Sequence, residues 1–169
     1  LGAARASGVC VMAFVDLNDV AVALDPLVPA QDADSQALAV RTWRGRMLSE
    51  HASARVYAQL LPQAMKAELP VRWHYKIADM IQDELRHARQ CAGVVRALGA
   101  EASGELLDLH DVPVHAQATR MQAFFRNVLS VSCLAETVAV TLIDAERLEM
   151  SEAALADVMK TILADEVRH

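Results

Sequence analysis

A chain of 169 residues is large enough for one domain with a single core. Hydrophobic residues make up 54% of it and aromatics only 4%; a core dominated by Ala, Leu and Val suits closely packed helices better than a sheet. The net charge of −6, with no basic stripe, argues against a nucleic-acid surface, because nothing displaces counterions from phosphates. It does suit a protein that attracts cations.

Cys10, Cys91 and Cys133 are far apart and show no paired spacing. Neither a zinc knuckle nor a disulfide framework is expected, which fits a reducing cytoplasmic location. No apolar run approaches the length needed to span a bilayer, so no membrane partner is expected. The apolar segment 9–15 is too short and poorly flanked for a signal peptide. The chain starts at Leu1 rather than Met and stops at His169, and both ends are expected to continue in a longer sequence.

In chain order, residues 1–34 read as an N-terminal extension or linker, with Pro26, Pro29 and a polar stretch from Gln31 to Ser35. Asp34 or Ser35 is a plausible N-cap for a first helix over 36–61. Pro62 should end or kink that helix, with a short helical turn before Pro70. A second helix starts at Pro70 and runs to Leu98, with Gly99 as its stop. Residues 99–114 form a long connection. A third helix spans 116–148, and Ser151 caps a fourth that continues to His169.

Each helix carries an apolar seam at alternating three- and four-residue spacing. The first reads Trp43, Met47, Glu50, Ala54, Tyr57 and Leu61; the second runs from Trp73 through Ile77, Met80, Glu84, His87, Cys91 and Val94 to Leu98. The third gives Phe125, Leu129, Ser132, Glu136, Ala139 and Ile143, and the fourth Leu155, Met159, Ile162, Glu166 and His169. The pattern predicts an all-α domain over 35–169, a single antiparallel four-helix bundle with one long connection between its second and third helices.

Each seam is interrupted by charge near one level. The first and third helices contribute Glu50 and Glu136; the second and fourth contribute Glu84 with His87 and Glu166 with His169. Glu and His three apart project from one helix face, so both reach one ion. Four buried carboxylates need cations among them, and two divalent metals meet that need. A lone Glu is usually solvated or salt-bridged, but with ten Glu and six His in the chain, chance predicts only about 0.4 Glu-x-x-His pairs. Two occur, in the matching segments Asp83-Glu84-Leu85-Arg86-His87 and Asp165-Glu166-Val167-Arg168-His169. Because a metal-bound His usually donates its other N–H to a carboxylate, Asp83 and Asp165 read as supports of the two histidines, with Arg86 and Arg168 balancing them. Simple surface ion pairs are the competing reading for those four. His51, His74, His110 and His115 have no partner spacing and read as surface residues, while Cys91 and Cys133 read as buried small hydrophobes.

The repeated Asp-Glu-x-Arg-His, in the order Glu, Glu-x-x-His, Glu, Glu-x-x-His over 36–169, resembles the ferritin-like carboxylate-bridged di-iron superfamily. That superfamily includes bacterioferritins, rubrerythrins, acyl-carrier-protein desaturases, ribonucleotide reductase small subunits and bacterial multicomponent monooxygenases. The resemblance implies two iron ions, with manganese as an alternative at one or both. It implies that Glu84 and Glu166 bridge, with Glu50 and His87 at one end and Glu136 and His169 at the other. It also implies a Tyr electron donor at Tyr57, as in bacterioferritin; an ordinary core Tyr is the competing reading.

The scaffold does not decide the reaction. A di-iron oxidoreductase that activates O2 to oxidise a small organic substrate, a ferroxidase or iron-storage protein whose substrate is Fe2+, and a rubrerythrin-like peroxidase all fit the ligands, as does a bundle that keeps its metals only for stability. Rubrerythrins carry a further carboxylate where this chain has Cys133, and no Cys-x-x-Cys is present. Multicomponent monooxygenases commonly have Thr four residues after the third-helix Glu; here that residue is Val140, beside Thr137 and Thr141. Met47, Ala54, Met80, Cys91, Cys133, Ala139 and Ile162 lie one turn from the ligands and predict an apolar pocket for an organic substrate. The oxidoreductase is the reading preferred on sequence, with an electron donor required and a homodimer an open arrangement.

Overall fold

The computed structural model describes residues 14–27, 32–106 and 111–169; Cys10, Pro29, Gln31 and His110 lie outside them. The chain first forms a short strand, β1 (Phe14–Asp16), whose Val15 pairs with Gly104 of β2 (Ser103–Glu105) in an antiparallel two-stranded sheet. A single turn of 3₁₀ helix at Asn18–Val20 follows, and the chain then runs extended across a long helix, α2 (Val71–Ala97). Three bonds fix this strap: the N–H of Val22 donates to the Arg89 carbonyl at 3.0 Å, that of Leu27 to the Ala97 carbonyl at 3.1 Å, and Arg89 Nε to the Val20 carbonyl at 2.8 Å. Gly93 permits the close approach, since a Cβ there would stand 2.2 Å from the Val22 carbonyl oxygen. Val15 and Leu17 are buried in one cluster with Trp43, Met47, Val94 and Ile162. The described part of the N-terminal extension is thus packed into the helical core.

Helix α1 (Ala33–Lys66) is capped by Asp32, whose side chain accepts from the Ser35 N–H at 2.8 Å, rather than by Asp34 or Ser35. It passes through Pro62 without ending. Proline removes one backbone bond, but the turns beyond it bury Ala64 and Ala67 against Ile77, Met80 and Phe124, and that burial keeps the helix going. Pro70 precedes α2, and Gly99, at φ +82°, follows its end as the left-handed stop.

The third helical segment is one rod of three parts: α3 (Arg120–Val128), a π-helical stretch at Leu129–Ala135, and α4 (Glu136–Glu149). It starts four residues later than the sequence predicts, at a capping box in which the Thr119 hydroxyl accepts from the Gln122 N–H and the Gln122 side chain accepts from the Thr119 N–H. The π stretch corrects the predicted seam. A π turn closes i→i+5 bonds and so rotates everything before it relative to Glu136. Phe125 and Leu129, predicted inside, are 50% and 57% exposed, and Phe124 is buried instead. Trp73 is also largely exposed, against its seam assignment.

This rod, Arg120–Glu149, is long and apolar enough by length and composition to cross a membrane. The expectation that no segment has that character fails here because Ser and Thr break the apolar run in sequence. Two threonine hydroxyls fold back onto the helix, Thr137 to the Cys133 carbonyl and Thr141 to the Thr137 carbonyl.

Helix α5 (Ala153–Glu166) begins after Glu152, which makes no side-chain cap, so Ser151 is not its cap. It ends at Glu166, and a turn brings the His169 N–H to the Glu166 carbonyl at 3.1 Å. The described residues are therefore mostly helical: α1 packs along α2, α3 lies on α1, and α5 lies on α4 and α2. Among the described residues two apolar clusters form, one holding Met47 and Ala88, the other Tyr57 and Met80. On α1 and α2 the charged level of Glu50, Glu84 and His87 falls between them.

Candidate metal centre

All six residues expected as ligands converge on that level. Glu50 comes from α1, Glu84 and His87 from α2, Glu136 from the first turn of α4, Glu166 from the last turn of α5, and His169 from the turn beyond it. They fall into two overlapping groups whose ligand atoms all lie within 4.8 Å of one another: Glu50, Glu84, His87 and Glu166, and Glu84, Glu136, Glu166 and His169. Glu84 and Glu166 belong to both.

The two imidazoles are arranged alike. His87 Nδ1 stands 3.0 Å from Glu166 Oε1 and 3.7 Å from Glu50 Oε2. His169 Nδ1 stands 2.9 Å from Glu166 Oε2 and 3.2 Å from Glu84 Oε1. Short as these contacts are, His87 Nδ1, His169 Nδ1, Glu84 Oε1 and Glu166 Oε2 are buried and none has an aligned hydrogen-bond partner. Buried polar atoms rarely stay unpaired. Lone pairs that converge on a shared point, and not on each other, are what a cation requires, so this donor set fits a metal.

Behind each imidazole stands a carboxylate from the opposite helix. His87 Nε2 lies 3.1 Å from Asp165 Oδ2 of α5, and His169 Nε2 lies 3.4 Å from Asp83 Oδ2 of α2. Arg86 bridges the two aspartates, at 2.6 Å from Asp83 Oδ1 and 2.5 Å from Asp165 Oδ2, and Arg168 pairs with Asp165. Burial works against ionisation of Asp165, but the Arg86 and His87 bonds outweigh it and hold its pKa below the usual range. A carboxylate only accepts, so His87 Nε2 carries the proton and Nδ1 is left to face the cluster. Tyr57 is fully buried and its hydroxyl donates to Glu136 Oε1 at 2.6 Å.

Protons balance the charge of this cluster. Burial raises Glu84 to about 8 and Glu136 to about 7. Burial disfavours the charged imidazoliums as well, but the facing carboxylates, Glu166 with Glu50 and Glu166 with Glu84, raise His87 and His169 to about 10. The two histidines in turn overcome the burial of Glu166 and lower it to about 2. The raised groups stabilise the fold fully below their unfolded pKa values, and that contribution is lost as pH rises through about 7 to 10. The metal-free protein should therefore lose Tm between pH 5 and pH 9 in calorimetric scans. Below about pH 4.5 the contribution of Glu166 is lost in turn, so stability falls again toward acid. A saturating divalent metal should reverse the alkaline loss, because ligation requires these protons to leave.

Of the seven residues expected to line an apolar pocket, Met47, Ala54, Met80, Cys91 and Ile162 are buried core, while Cys133 is exposed and Ala139 half-buried. Burial raises the Cys91 thiol pKa. An apolar pocket of about 290 Å³, walled by Leu60, Ile77, Met80 and Phe124, does reach Tyr57 and His169. A second space of about 420 Å³ opens between α1 and α4 and has Glu50, Glu84, Glu136 and Glu166 among its lining residues. Its polar members Arg46 and Glu146 escaped the sequence reading, although Arg46 stands one turn before Glu50. His115, read as a surface residue, is half-buried with Nε2 2.9 Å from Asn127 Oδ1. No family model, curated protein or solved structure matches this chain.

Proposed function

We propose that the chain is a ferritin-like four-helix bundle that holds two iron ions and activates O2 to oxidise an organic substrate. The observation that carries this reading is the pair of overlapping ligand groups sharing Glu84 and Glu166, because two metals held by shared carboxylates are the arrangement built inside such bundles. Glu50 and His87 would complete one position, and Glu136 and His169 the other. Iron held in these positions would supply the electrons that reduce O2.

The protein's own groups prepare the site. Asp165 and Asp83 hold the imidazoles with Nδ1 inward, and the Tyr57 hydroxyl fixes one oxygen of Glu136. Apolar clusters flank the ligands on either side, and the burial they give strengthens each electrostatic contact. Asp165→Asn should weaken metal binding by about 10- to 100-fold, the usual cost of losing such a support. Competition with a chelator of known affinity measures it, and an unchanged affinity would remove Asp165 from the site.

The reaction is tested by loading the protein anaerobically with Fe(II), measuring iron per chain, and mixing with O2. Oxidation should stop near two Fe(II) per chain and resume only when a reductant and an oxidisable organic compound are supplied. Continuous oxidation of added Fe(II) into a mineral would sink the oxygenase reading and favour iron storage.

A further inference from the structure

The two spaces at the cluster differ in what they can admit. The apolar pocket reaches the site behind His169 and Tyr57, on a side already taken by an imidazole. The groove between α1 and α4 is lined by all four cluster carboxylates and by neither histidine. A molecule in that groove meets the positions that the imidazoles leave open.

One wall of the groove is polar, with the hydroxyls of Thr42, Ser49 and Ser53 on α1; the other is apolar, with Ala139, Leu142 and Ile143 on α4. Among the lining residues Arg46 is the one cation. Its side chain is only 16% exposed, lies over the Trp43 ring at 5.7 Å, and pairs across the groove with Glu146, whose side chain is 47% exposed. An Arg held so firmly beside metal carboxylates is out of place on a path for incoming cations. A guanidinium presents paired donors that match a carboxylate, and a solvated Glu is an easily exchanged partner.

We propose that this groove binds a small organic acid, flat enough to lie between the hydroxyl and aliphatic walls. Its carboxylate replaces Glu146 on Arg46, and its far end faces the metals. This rests on the two-metal reading, since the floor of four carboxylates repels an anion until cations neutralise it.

Benzoate is the probe, bound to protein loaded with Mn(II), whose unpaired electrons relax the nearest ligand protons fastest. Metal per chain is measured first. Benzoate should bind, benzamide should bind at least tenfold more weakly, and the para proton should relax faster than the ortho protons. Arg46→Gln should weaken benzoate by roughly tenfold or more, the worth of a charge-assisted bond. Glu146→Gln, at an exposed position, should tighten it about two- to fivefold by removing the competing carboxylate. A protein that takes up no metal overturns both readings. One that holds two metals overturns only the anion site if benzamide equals benzoate, if the ortho protons relax fastest, or if both variants bind benzoate as the parent does.

Discussion

Glu84→Gln and Glu166→Gln should each empty both metal positions, whereas Glu50→Gln and Glu136→Gln should each leave one ion bound. The asymmetry follows from the geometry. Glu84 and Glu166 present oxygens to both ligand groups, while Glu50 belongs to the first alone and Glu136 to the second alone. Glutamine preserves shape and removes the charge, so the buried space stays filled. The affinity lost at a bridging position should exceed the roughly 10- to 100-fold cost of losing an outer support. Elemental analysis after dialysis reads the result directly, with circular dichroism to confirm that each variant is folded. Equal losses across all four variants would mean that the carboxylates act only as a diffuse negative cluster, and the two-position reading would fall.

Gly93→Ala should destabilise the protein by about 1–3 kcal/mol, the usual cost of overpacking, although alanine is the better helix former by roughly 1 kcal/mol. The added Cβ meets backbone, 2.2 Å from the Val22 carbonyl oxygen and 3.1 Å from its carbon, and backbone cannot rotate away as a side chain can. On α2 the neighbours Ala92, Val94 and Val95 are all fully buried, so the strap must yield. Its shift loosens the bonds of Val20 and Val22 to Arg89 and exposes Val15 and Leu17. For a chain of this size that loss should lower Tm by roughly 2–4 °C per kcal/mol, with metal content unchanged. A variant as stable as the parent would show that the strap contributes nothing to the fold.

The cluster of Glu and His side chains was legible because its information is local. Asp83 to His87 within α2, and Asp165 to His169 across the end of α5 and the turn beyond it, each put a carboxylate and an imidazole on one face, and a three-residue spacing survives an error in helix boundaries. The convergence of Glu50 and Glu136 on the same level could be read from the seams, since α1 keeps α-helical period through Glu50 and α4 keeps it from Glu136 onward. The third seam failed before Glu136 because a π turn leaves no mark in composition; Phe125 satisfies the same pattern as Phe124 until the extra residue is known. Thr119 and Gln122 did carry a readable start signal, three residues apart, which the boundary at 116 overlooked. Pro62 misled for the opposite reason, as a strong local signal overruled by the burial of Ala64 and Ala67. The strap and the two short strands were invisible because their partners, Arg89, Ala97 and Gly104, are remote in sequence. The groove needed two helices to be placed side by side before Arg46 and Glu146 could face each other.

On the proposed reading, the exchange of aspartates between α2 and α5 would tie metal affinity to the docking of α5. His87 is aligned only while Asp165 is docked, and His169 only while Asp83 is, so neither half-site can be fully formed on a detached segment. On the two-metal reading α5 and the metals would share one equilibrium: each ion bound would be free energy holding α5 in place, and each fluctuation of α5 away from α2 would be an exit route for both ions at once. The clasp that holds α5 against α2 would also set how long the metals stay.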